Sequence, residues 1–288
     1  MRDHRSEFRV TSMSRVLGVS GSGFYAWLRR SESRRTKDNR KILILAKAIH
    51  KRTRRSYGSP RMSDELKEIR ELQDEGITCG RHRVARLMRA NGLRGKAGKK
   101  FKATTDSNHK HPVAENLLQR QFNVSEPNLA WVGDITYVWT REGWLYLAVL
   151  LDLYSRRVVG WAVSKRMKQG LVVEALERAI ALRNPSPGLI VHHDRGSQYA
   201  SNAYRKLLES RGLILSMSRK GDCWDNAVAE SFFGSLKTEW VPKFGYETRR
   251  EGEMDLFQYI EAFYNRSRRH STIGNVSPVA FEKASENL

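Results

Sequence analysis

Three acidic residues stand where a carboxylate needs a physical reason. Asp134 interrupts the apolar run AWVGDITYVW, Asp194 follows the apolar run LIVHH, and Glu230 lies in the helix-like segment NAVAESFFGSLK. Burying a charge is costly unless the group is paired or binds a metal ion. Hard cations such as Mg²⁺ prefer carboxylate oxygens, and two of them roughly 4 Å apart can support phosphodiester cleavage. The three residues therefore predict a site for divalent metal ions.

The two histidines before Asp194 raise the alternative of a zinc site. His192 and His193 have no companion pair of ligands at zinc-binding spacing in the sequence. If this run is a strand, the two imidazole rings point to opposite faces, so at most one of them joins the site. The pattern favours a carboxylate site over a zinc site and leaves the role of the histidines open.

Other carboxylates near these positions have structural interpretations. Asp152 ends the run LYLAVLLD, where it either caps a turn or supports the site. We expect Asp222 and Asp225 in a loop and a helix cap, and Glu239 on a solvated helix face. The candidate site therefore keeps its three carboxylates.

Apolar runs after about residue 123 predict the elements that hold this site. LAWVGDITYVW, GWLYLAVLLDL and RVVGWAV are typical of three sequential antiparallel strands. Helix and strand patterns then alternate: LVVEALERAIALR, GLIVHHD, NAYRKLLESRG, LILSMS and NAVAESFFGSLKTEW. This order predicts an α/β domain, a mixed sheet with helices on its faces and a site near strand ends. We expect Trp131, Trp144 and Trp161 in its core, with stacking on unpaired bases as the alternative.

Charge is unevenly distributed along the 288 residues. The chain holds 52 Lys and Arg against 31 Asp and Glu, a net charge of +21. Residues 1–120 hold 30 basic and 12 acidic residues, whereas residues 121–288 hold 22 and 19. This excess predicts a polyanionic partner, most simply nucleic acid, with a solvated basic surface as the alternative.

The remaining composition favours a cytoplasmic protein. No apolar run reaches the length of a membrane span, and the charged start MRDHRSEFRV lacks the apolar segment of a secretory signal. Cys79 and Cys223 form no C-x-x-C pattern, which suits reduced thiols. We therefore expect neither membrane insertion nor secretion.

The basic N-terminal part predicts two small all-α units. Residues 8–30 show helix, tight glycine turn and helix, which is typical of a helix-turn-helix, although an ordinary helical hairpin is the alternative. A later segment, TCGRHRVARLMRANG, predicts a helix that carries Arg81, Arg83 and Arg86 as DNA-binding candidates, with a purely structural basic helix as the alternative. The predicted organisation is a helix-turn-helix-like segment (1–36), a second helical DNA-binding module (37–95), a basic linker (96–122) and the sheet domain with a C-terminal helical extension (123–288).

Five ordered motifs carry a resemblance to a known family: WVGDITYV, LYLAVLLDLYSRRVVGWAV, HHDRGSQYAS, GDCWDNAVAESFFGSLKTE and YNRSRRHSTIGNVSPVAFE. Together they resemble the DDE transposases of bacterial insertion sequences, more narrowly the OrfB type, the product of the second of two overlapping reading frames. The resemblance covers about residues 10–285 and implies a ribonuclease-H-like fold similar to the retroviral integrase core. It also implies catalytic and metal-binding roles for Asp134, Asp194 and Glu230. The 35 residues between the last two agree with the family's spacing.

Several residues become candidates for DNA contact. The resemblance implies a basic residue seven positions after the glutamate, where Lys237 stands, and helix geometry places Asn226, Glu230 and Lys237 on roughly one face. Arg195 follows the middle aspartate, and Gly196 would let DNA approach the backbone or simply form a turn. A late basic cluster predicts further phosphate contacts: Arg266, Arg268, Arg269 and His270.

The resemblance implies a DDE-type polynucleotidyl transferase, that is, a DNA transposase or integrase. Mg²⁺ in a two-metal site, with Mn²⁺ as a substitute, would support hydrolysis at an element end. The freed 3′-hydroxyl would attack another phosphodiester, first joining the element's own ends into a circle and later integrating it. A nuclease that only hydrolyses and a catalytically inactive DNA-binding regulator are the alternatives.

The implied partners are double-stranded DNA, as terminal repeats and as target, and further copies of the chain on paired ends. In this family the upstream frame supplies another helix-turn-helix and a zipper, and frameshifting fuses the two products. This chain shows no long heptad pattern, so an upstream-frame protein or a frameshift fusion is a further expected partner. We expect the protein in a bacterial cytoplasm, on the nucleoid when it is bound to DNA.

Overall fold

A computed structural model describes residues 1–96, 114–219 and 223–286, without the side chains of Cys223 and Trp224. Residues 97–113 of the predicted linker and Asp222 lie outside the described residues. Within them, helices precede a five-stranded sheet whose later strands alternate with helices, which confirms the predicted fold class. No helix in these three stretches is long and apolar enough to cross a membrane.

The sheet has the strand order β3–β2–β1–β4–β5. Its first three strands form an antiparallel meander, and its last two join in parallel, β4 beside β1. The pairing of β1 with β4 ends at Val132 and His192, so β1 continues beyond β4. The strands are β1 (Ala130–Val138), β2 (Leu145–Asp152), β3 (Val158–Ser164), β4 (Ile190–His193) and β5 (Ile214–Met217).

Two helices cover one face of the sheet. Helices α7 (Gln169–Arg183) and α8 (Asn202–Ser210) pack into one apolar cluster with Trp131 of β1. Helix α7 lies close to β3 because Gly160 has no side chain. A Cβ at that position would lie 2.3 Å from the Ala175 carbonyl oxygen. A glycine in the edge strand therefore sets the spacing between helix and sheet.

Helix α9 (Ala227–Glu239) covers the opposite face and follows a 3₁₀ turn, Cys223–Asn226. Its buried Phe232 and Leu236 share an apolar cluster with Val132 of β1. Because side chains alternate along a strand, Asp134 lies on the same face of β1 as Val132. The helix that carries Glu230 is therefore on the sheet face that carries Asp134.

The chain opens with two short helices, α1 (Val10–Leu17) and α2 (Gly21–Arg29). Gly18 ends the first with a φ of +63°, and the Ser20 hydroxyl caps the second by accepting a hydrogen bond from the Gly23 amide at 2.9 Å. The predicted helix, tight turn and helix are therefore present. Their DNA-binding role stays a prediction.

The second helical unit packs around its own apolar residues and against the sheet domain. Ile42, Met62 and Val84 are buried, and their cluster continues to Val132 of β1 and Phe232 of α9. The predicted domain boundaries stay predictions, since one apolar cluster spans both parts. The helices of this unit are α3 (Arg34–Arg52), α4 (Ser59–Lys67), α5 (Arg70–Asp74) and α6 (Arg81–Ala90).

The C-terminal part packs against the sheet and the helix α7. Glu282 is buried and accepts hydrogen bonds from Arg157, Arg183 and Ser155, which ties the last helix to the sheet. The elements of this part are α10 (Arg249–Phe257), a π-helical segment (Gln258–Tyr264), a 3₁₀ turn (Ser271–Ile273) and α11 (Pro278–Glu286).

Candidate active site

Asp134 lies within β1, two residues beyond the last pair that β1 makes with β4. Its Oδ1 accepts a hydrogen bond from the Ile135 amide at 2.7 Å. The strand is held on its other side by β2, where Asp134 pairs with Val149. Because β4 has ended, this carboxylate stands at a gap in the sheet that a substrate can approach.

Asp194 directly follows β4. The parallel register pairs Val132 with His192, so two further residues along each strand bring Asp194 level with Asp134. The Asp194 Oδ1 accepts a hydrogen bond from the Gly196 amide at 3.0 Å. A Cβ at position 196 would lie 3.0 Å from that oxygen, so a glycine suits this tight turn.

Glu230 lies in the first turn of α9, and Lys237 lies two turns later. Asn226 precedes the helix, is buried, and its Oδ1 accepts no hydrogen bond within the described parts of the chain. Glu230 is exposed, whereas Lys237 is half-buried. The helix thus presents an acid near its start and a base further along toward the same strand.

The charges of the three acids act on one another. Burial raises the pKa of Asp134 well above its usual value, and the negative charges of Asp194 and Glu230 raise it further. Partial burial also raises the pKa of Glu230. Burial lowers the pKa of Lys237, which the charge of Asp134 opposes. A bound cation would relieve this repulsion and favour the ionised carboxylates.

The donor set suits a hard cation, although its members do not enclose one. Within the described ranges, no three His, Cys, Asp or Glu side chains converge closely enough to hold a metal ion. The three candidate acids nevertheless offer oxygen ligands, the type that Mg²⁺ prefers. The chemistry of the donors therefore fits Mg²⁺ or Mn²⁺ better than zinc.

Comparison with known proteins gives the chain a family. Models described as "Integrase core domain" match residues 124–223 and 230–285, and one described as "HTH-like domain" matches residues 37–101. "Transposase InsF for insertion sequence IS3A" of Escherichia coli (strain K12) is 43% identical over 281 residues, 97% of this chain and 96% of that protein. The chain belongs to the bacterial insertion-sequence transposases.

Two further proteins resemble this transposase. "Insertion element IS600 uncharacterized 31 kDa protein" of Shigella sonnei is 46% identical over 271 residues, 94% of this chain and 97% of that protein. The HTLV-2 integrase catalytic core domain, solved in complex with magnesium in a trimeric form, aligns with 54% of this chain and 97% of its own. It has a TM-score of 0.40 and 17% identity.

The two histidines of this transposase have structural contacts. His192 Nδ1 lies 2.8 Å from Ser216 Oγ, and its Nε2 lies 3.2 Å from Ser218 Oγ. His193 contacts the Gly133 carbonyl oxygen at 3.1 Å and the Tyr204 hydroxyl at 2.6 Å. Burial lowers the pKa of His192 to about 4 and that of His193 to about 3, so both rings are neutral at pH 7. All four ring nitrogens have partners, so neither ring is free to bind zinc.

Of the neighbouring carboxylates, Asp152 agrees with one of its two predicted roles, whereas Asp225 does not agree with its prediction. Asp152 caps a turn, because it accepts hydrogen bonds from the Asn128 amide at 2.7 Å and the Tyr154 amide at 2.9 Å. Among the described contacts, Asp225 caps no helix. It is buried and bound by Arg120 and Arg219, which, against the effect of burial, hold its pKa well below the usual value.

Glu239 contradicts its predicted place on a solvated helix face. Its side chain is buried and accepts hydrogen bonds from Arg268 at 2.6 Å and from Arg61 at 3.0 Å. Arg61 belongs to α4, far away in sequence. The prediction was wrong because the local pattern of α9 could not show which distant cations pack against its end.

The late basic cluster was predicted to contact phosphates, but most of its side chains make internal contacts instead. Arg268 is 2% exposed and binds Glu239, whereas Arg269 is 6% exposed and binds Glu65 and Glu68 of the second helical unit. His270 is half-buried, and burial lowers its pKa to about 3, so it carries no charge at pH 7. Arg269 therefore joins the C-terminal part of the chain to the second helical unit. Of the cluster, Arg266 alone is exposed.

The candidate DNA-binding residues elsewhere are also divided by the structure. Arg81 and Arg86 are exposed on α6, whereas Arg83 turns inward and donates hydrogen bonds to Asn39 Oδ1 at 2.8 Å and the Thr78 carbonyl oxygen at 2.9 Å. Arg195 donates to the Ser218 carbonyl oxygen at 2.7 Å. Arg83 therefore stabilises the helical unit, and the DNA contacts of the other three stay predictions.

The exposure of the tryptophans corrects the prediction that all three lie in the core. Trp131 is fully buried and Trp161 is half-buried, but Trp144 is 44% exposed. Trp144 lies near the start of the apolar run GWLYLAVLLDL, but β2 begins one residue later, at Leu145. Nearby, Trp139 is exposed as well, and no separate signal in the sequence pointed to it.

Proposed function

We propose that this transposase cleaves and joins DNA strands at the ends of a mobile element, with Asp134, Asp194 and Glu230 as its catalytic residues. One observation carries the proposal. Three separate elements bring these acids near enough to one another that the charges of Asp194 and Glu230 disfavour ionisation of the half-buried Asp134. Such an arrangement is unfavourable for folding alone and is typical of an active site.

The three carboxylates would together hold divalent metal ions, Mg²⁺ or Mn²⁺, in a two-metal site. When bound, these ions activate the attacking oxygen and stabilise the departing one. The gap beside β1 leaves Asp134 open to a phosphodiester. Lys237, on the same helix as Glu230, would contact a phosphate oxygen, and Gly196 would let the backbone lie close to the DNA strand.

The reaction needs no protein nucleophile. Water adds to the phosphorus at the element end, the bond to the 3′-oxygen breaks, and that oxygen leaves as a 3′-hydroxyl. This hydroxyl then attacks a second phosphodiester, where one P–O bond forms as another breaks. The first acceptor would be the opposite end of the element, and the next would be target DNA. The helical units would hold the DNA, and several copies of the chain would bring the two ends together.

The decisive experiment is a strand-transfer assay with labelled terminal-repeat DNA in Mg²⁺ and in Mn²⁺. The wild type should give joined products, and Asp194→Asn and Glu230→Gln should each lower their rate at least about 1000-fold. Glu174→Gln, which changes an exposed acid on α7, is the matched control and should leave the rate unchanged. Joined products from Asp194→Asn would overturn the site assignment, and nicks without joined products would overturn the joining step.

A further inference from the structure

Three aromatic side chains at one end of the sheet form a surface that the fold leaves uncovered. We call Tyr137, Trp139 and Trp144 the aromatic cluster. Their exposures are 38%, 47% and 44%, although they are large apolar groups. The Trp144 ring centroid lies 4.8 Å from that of Tyr137 and 4.9 Å from that of Trp139, both edge to face. These contacts hold the rings in place while ring surface stays open to solvent.

The cluster lies close to the candidate site. Tyr137 and Trp139 follow Asp134 by three and five residues, which is roughly 10–17 Å along an extended chain. Strand alternation turns Tyr137 to the face opposite Asp134, but the edge of β1 is open here because β4 has ended. Lys237 bridges the two places, since its Nζ lies 5.0 Å from the centroid of the Tyr137 ring.

Cations flank the cluster. The last pair of the β2–β3 hairpin joins Tyr146 to Ser164, and the Tyr146 ring lies 6.3 Å from that of Tyr137. The loop after Ser164 therefore leaves the sheet beside the cluster. It carries three exposed cations that make no ion pair with any described side chain: Lys165, Arg166 and Lys168. On the turn between β1 and β2, by contrast, Arg141 is paired with Glu247.

Open aromatic faces beside cations are the means by which proteins bind single-stranded nucleic acid, because rings stack on bases while cations bind phosphates. We propose that the aromatic cluster binds unpaired bases of a DNA strand that runs from the candidate site. The position relative to the site rests on the proposed function above. At about 3.4 Å per nucleotide, the spacing along one strand of a duplex, and with an unpaired strand able to extend further, the stacked bases lie within about five nucleotides of the phosphate at Asp134. The flanking cations favour a polyanion over an apolar protein partner.

The stacking is tested by fluorescence anisotropy with a labelled single-stranded 12-mer in metal-free buffer. The double variant Trp139→Ala/Trp144→Ala should bind it at least about 10-fold more weakly, because it loses the rings on which the bases stack. Its affinity for duplex of the same length should change less than about 2-fold. Trp139→Phe/Trp144→Phe should keep most of the single-strand affinity.

Phe257→Ala, which removes another exposed aromatic side chain on α10, is the matched control and should bind like the wild type. Equal single-strand binding by the double alanine variant and the wild type would overturn the proposal. So would an equal loss of duplex binding. A thermal melt within about 2 °C of the wild type excludes unfolding as the cause, and a larger fall moves the comparison to the single variant Trp144→Ala.

The placement is tested with 2-aminopurine at successive positions of a terminal-repeat strand. Its fluorescence should be quenched within about five nucleotides of the cleavage position in the wild type, and less so in the double alanine variant. Quenching at other positions alone would overturn the placement. If the wild type gave no joined products in the strand-transfer assay but still quenched the fluorescence, the proposed function would be contradicted and the stacking proposal would remain supported.

Discussion

At the scale of single residues, Glu239 is the acid whose environment differs most from its local pattern. It lies at the end of α9 and binds Arg268, which is itself 2% exposed. Burial acts to raise the pKa of Glu239, but the hydrogen bonds and charges of Arg268 and Arg61 outweigh it and hold that pKa below its usual value. Removing one partner of such a pair leaves the other charge buried without compensation.

We therefore expect Glu239→Gln to lower the free energy of unfolding by about 3–5 kcal/mol, measured by urea denaturation at pH 7. Glu174→Gln removes an exposed acid paired with Arg178 on α7 and should cost less than about 1 kcal/mol. Since the pKa of Glu239 is lower in the folded chain, its contribution is present above about pH 4.5 and disappears as the pH falls through the folded value. A gap between wild type and variant that stayed constant at lower pH would contradict this assignment.

At the scale of elements, the distance between a helix and the sheet depends on single glycines. Helix α7 lies against β3 at Gly160, where a Cβ would meet the Ala175 carbonyl oxygen at 2.3 Å and the Ala179 Cβ at 2.6 Å. Neither neighbour is the flexible end of a long side chain. The helix would have to move away from the sheet, and the apolar contacts beneath it would loosen.

Gly160→Ala should therefore lower the melting temperature by several degrees, in line with an overpacking cost of about 1–3 kcal/mol. Gly170→Ala, on α7 itself, is the control, because a Cβ there meets nothing within 4 Å. Alanine also has the higher helix propensity, so Gly170→Ala should leave stability unchanged or raise it slightly. Differential scanning fluorimetry of both variants measures the difference, and equal melting temperatures would contradict the packing argument.

At the scale of the whole molecule, the excess of basic residues behind the net charge of +21 leaves some cations in internal ion pairs and others exposed. Two arginines connect the second helical unit to the sheet domain and its C-terminal extension. Arg61 binds Glu239, which also binds Arg268, and Arg269 binds Glu65. Lys96 adds a hydrogen bond to the Glu239 carbonyl oxygen at 2.7 Å. The helical unit is thus held against the end of the helix that carries Glu230, and DNA bound there would have a fixed position relative to the site.

Exposed cations on α6 should contact that DNA. Arg81→Ala/Arg86→Ala should weaken duplex binding and reduce the slope of log K against log salt by roughly 1.8, about 0.9 for each phosphate that is no longer neutralised. Arg178→Ala removes an exposed cation that is paired with Glu174 and should leave the slope unchanged. Binding titrations at several salt concentrations measure both slopes, and an unchanged slope in the double variant would remove α6 from the DNA-binding surface.

Local patterns in the sequence were sufficient to predict the five strands, the helices that alternate with the later strands, and the spacing of Asp134, Asp194 and Glu230. Alternating and helical periodicities involve only neighbours along the chain, and an acid inside an apolar strand is visible without coordinates. The family motifs added roles to these positions. The same patterns could also rank His192 and His193 below the acids, because a zinc site would need further ligands in the sequence.

The burial of charged and aromatic side chains, by contrast, became visible in the folded chain alone. Arg268 and Arg269 look like surface cations until Glu239, Glu65 and Glu68 arrive from other elements. Trp144 looks like a core residue until the strand is seen to begin one position later. The cause is the same in each case: burial and ion pairing depend on partners that are distant in sequence, whereas periodicity reports only the neighbours along the chain.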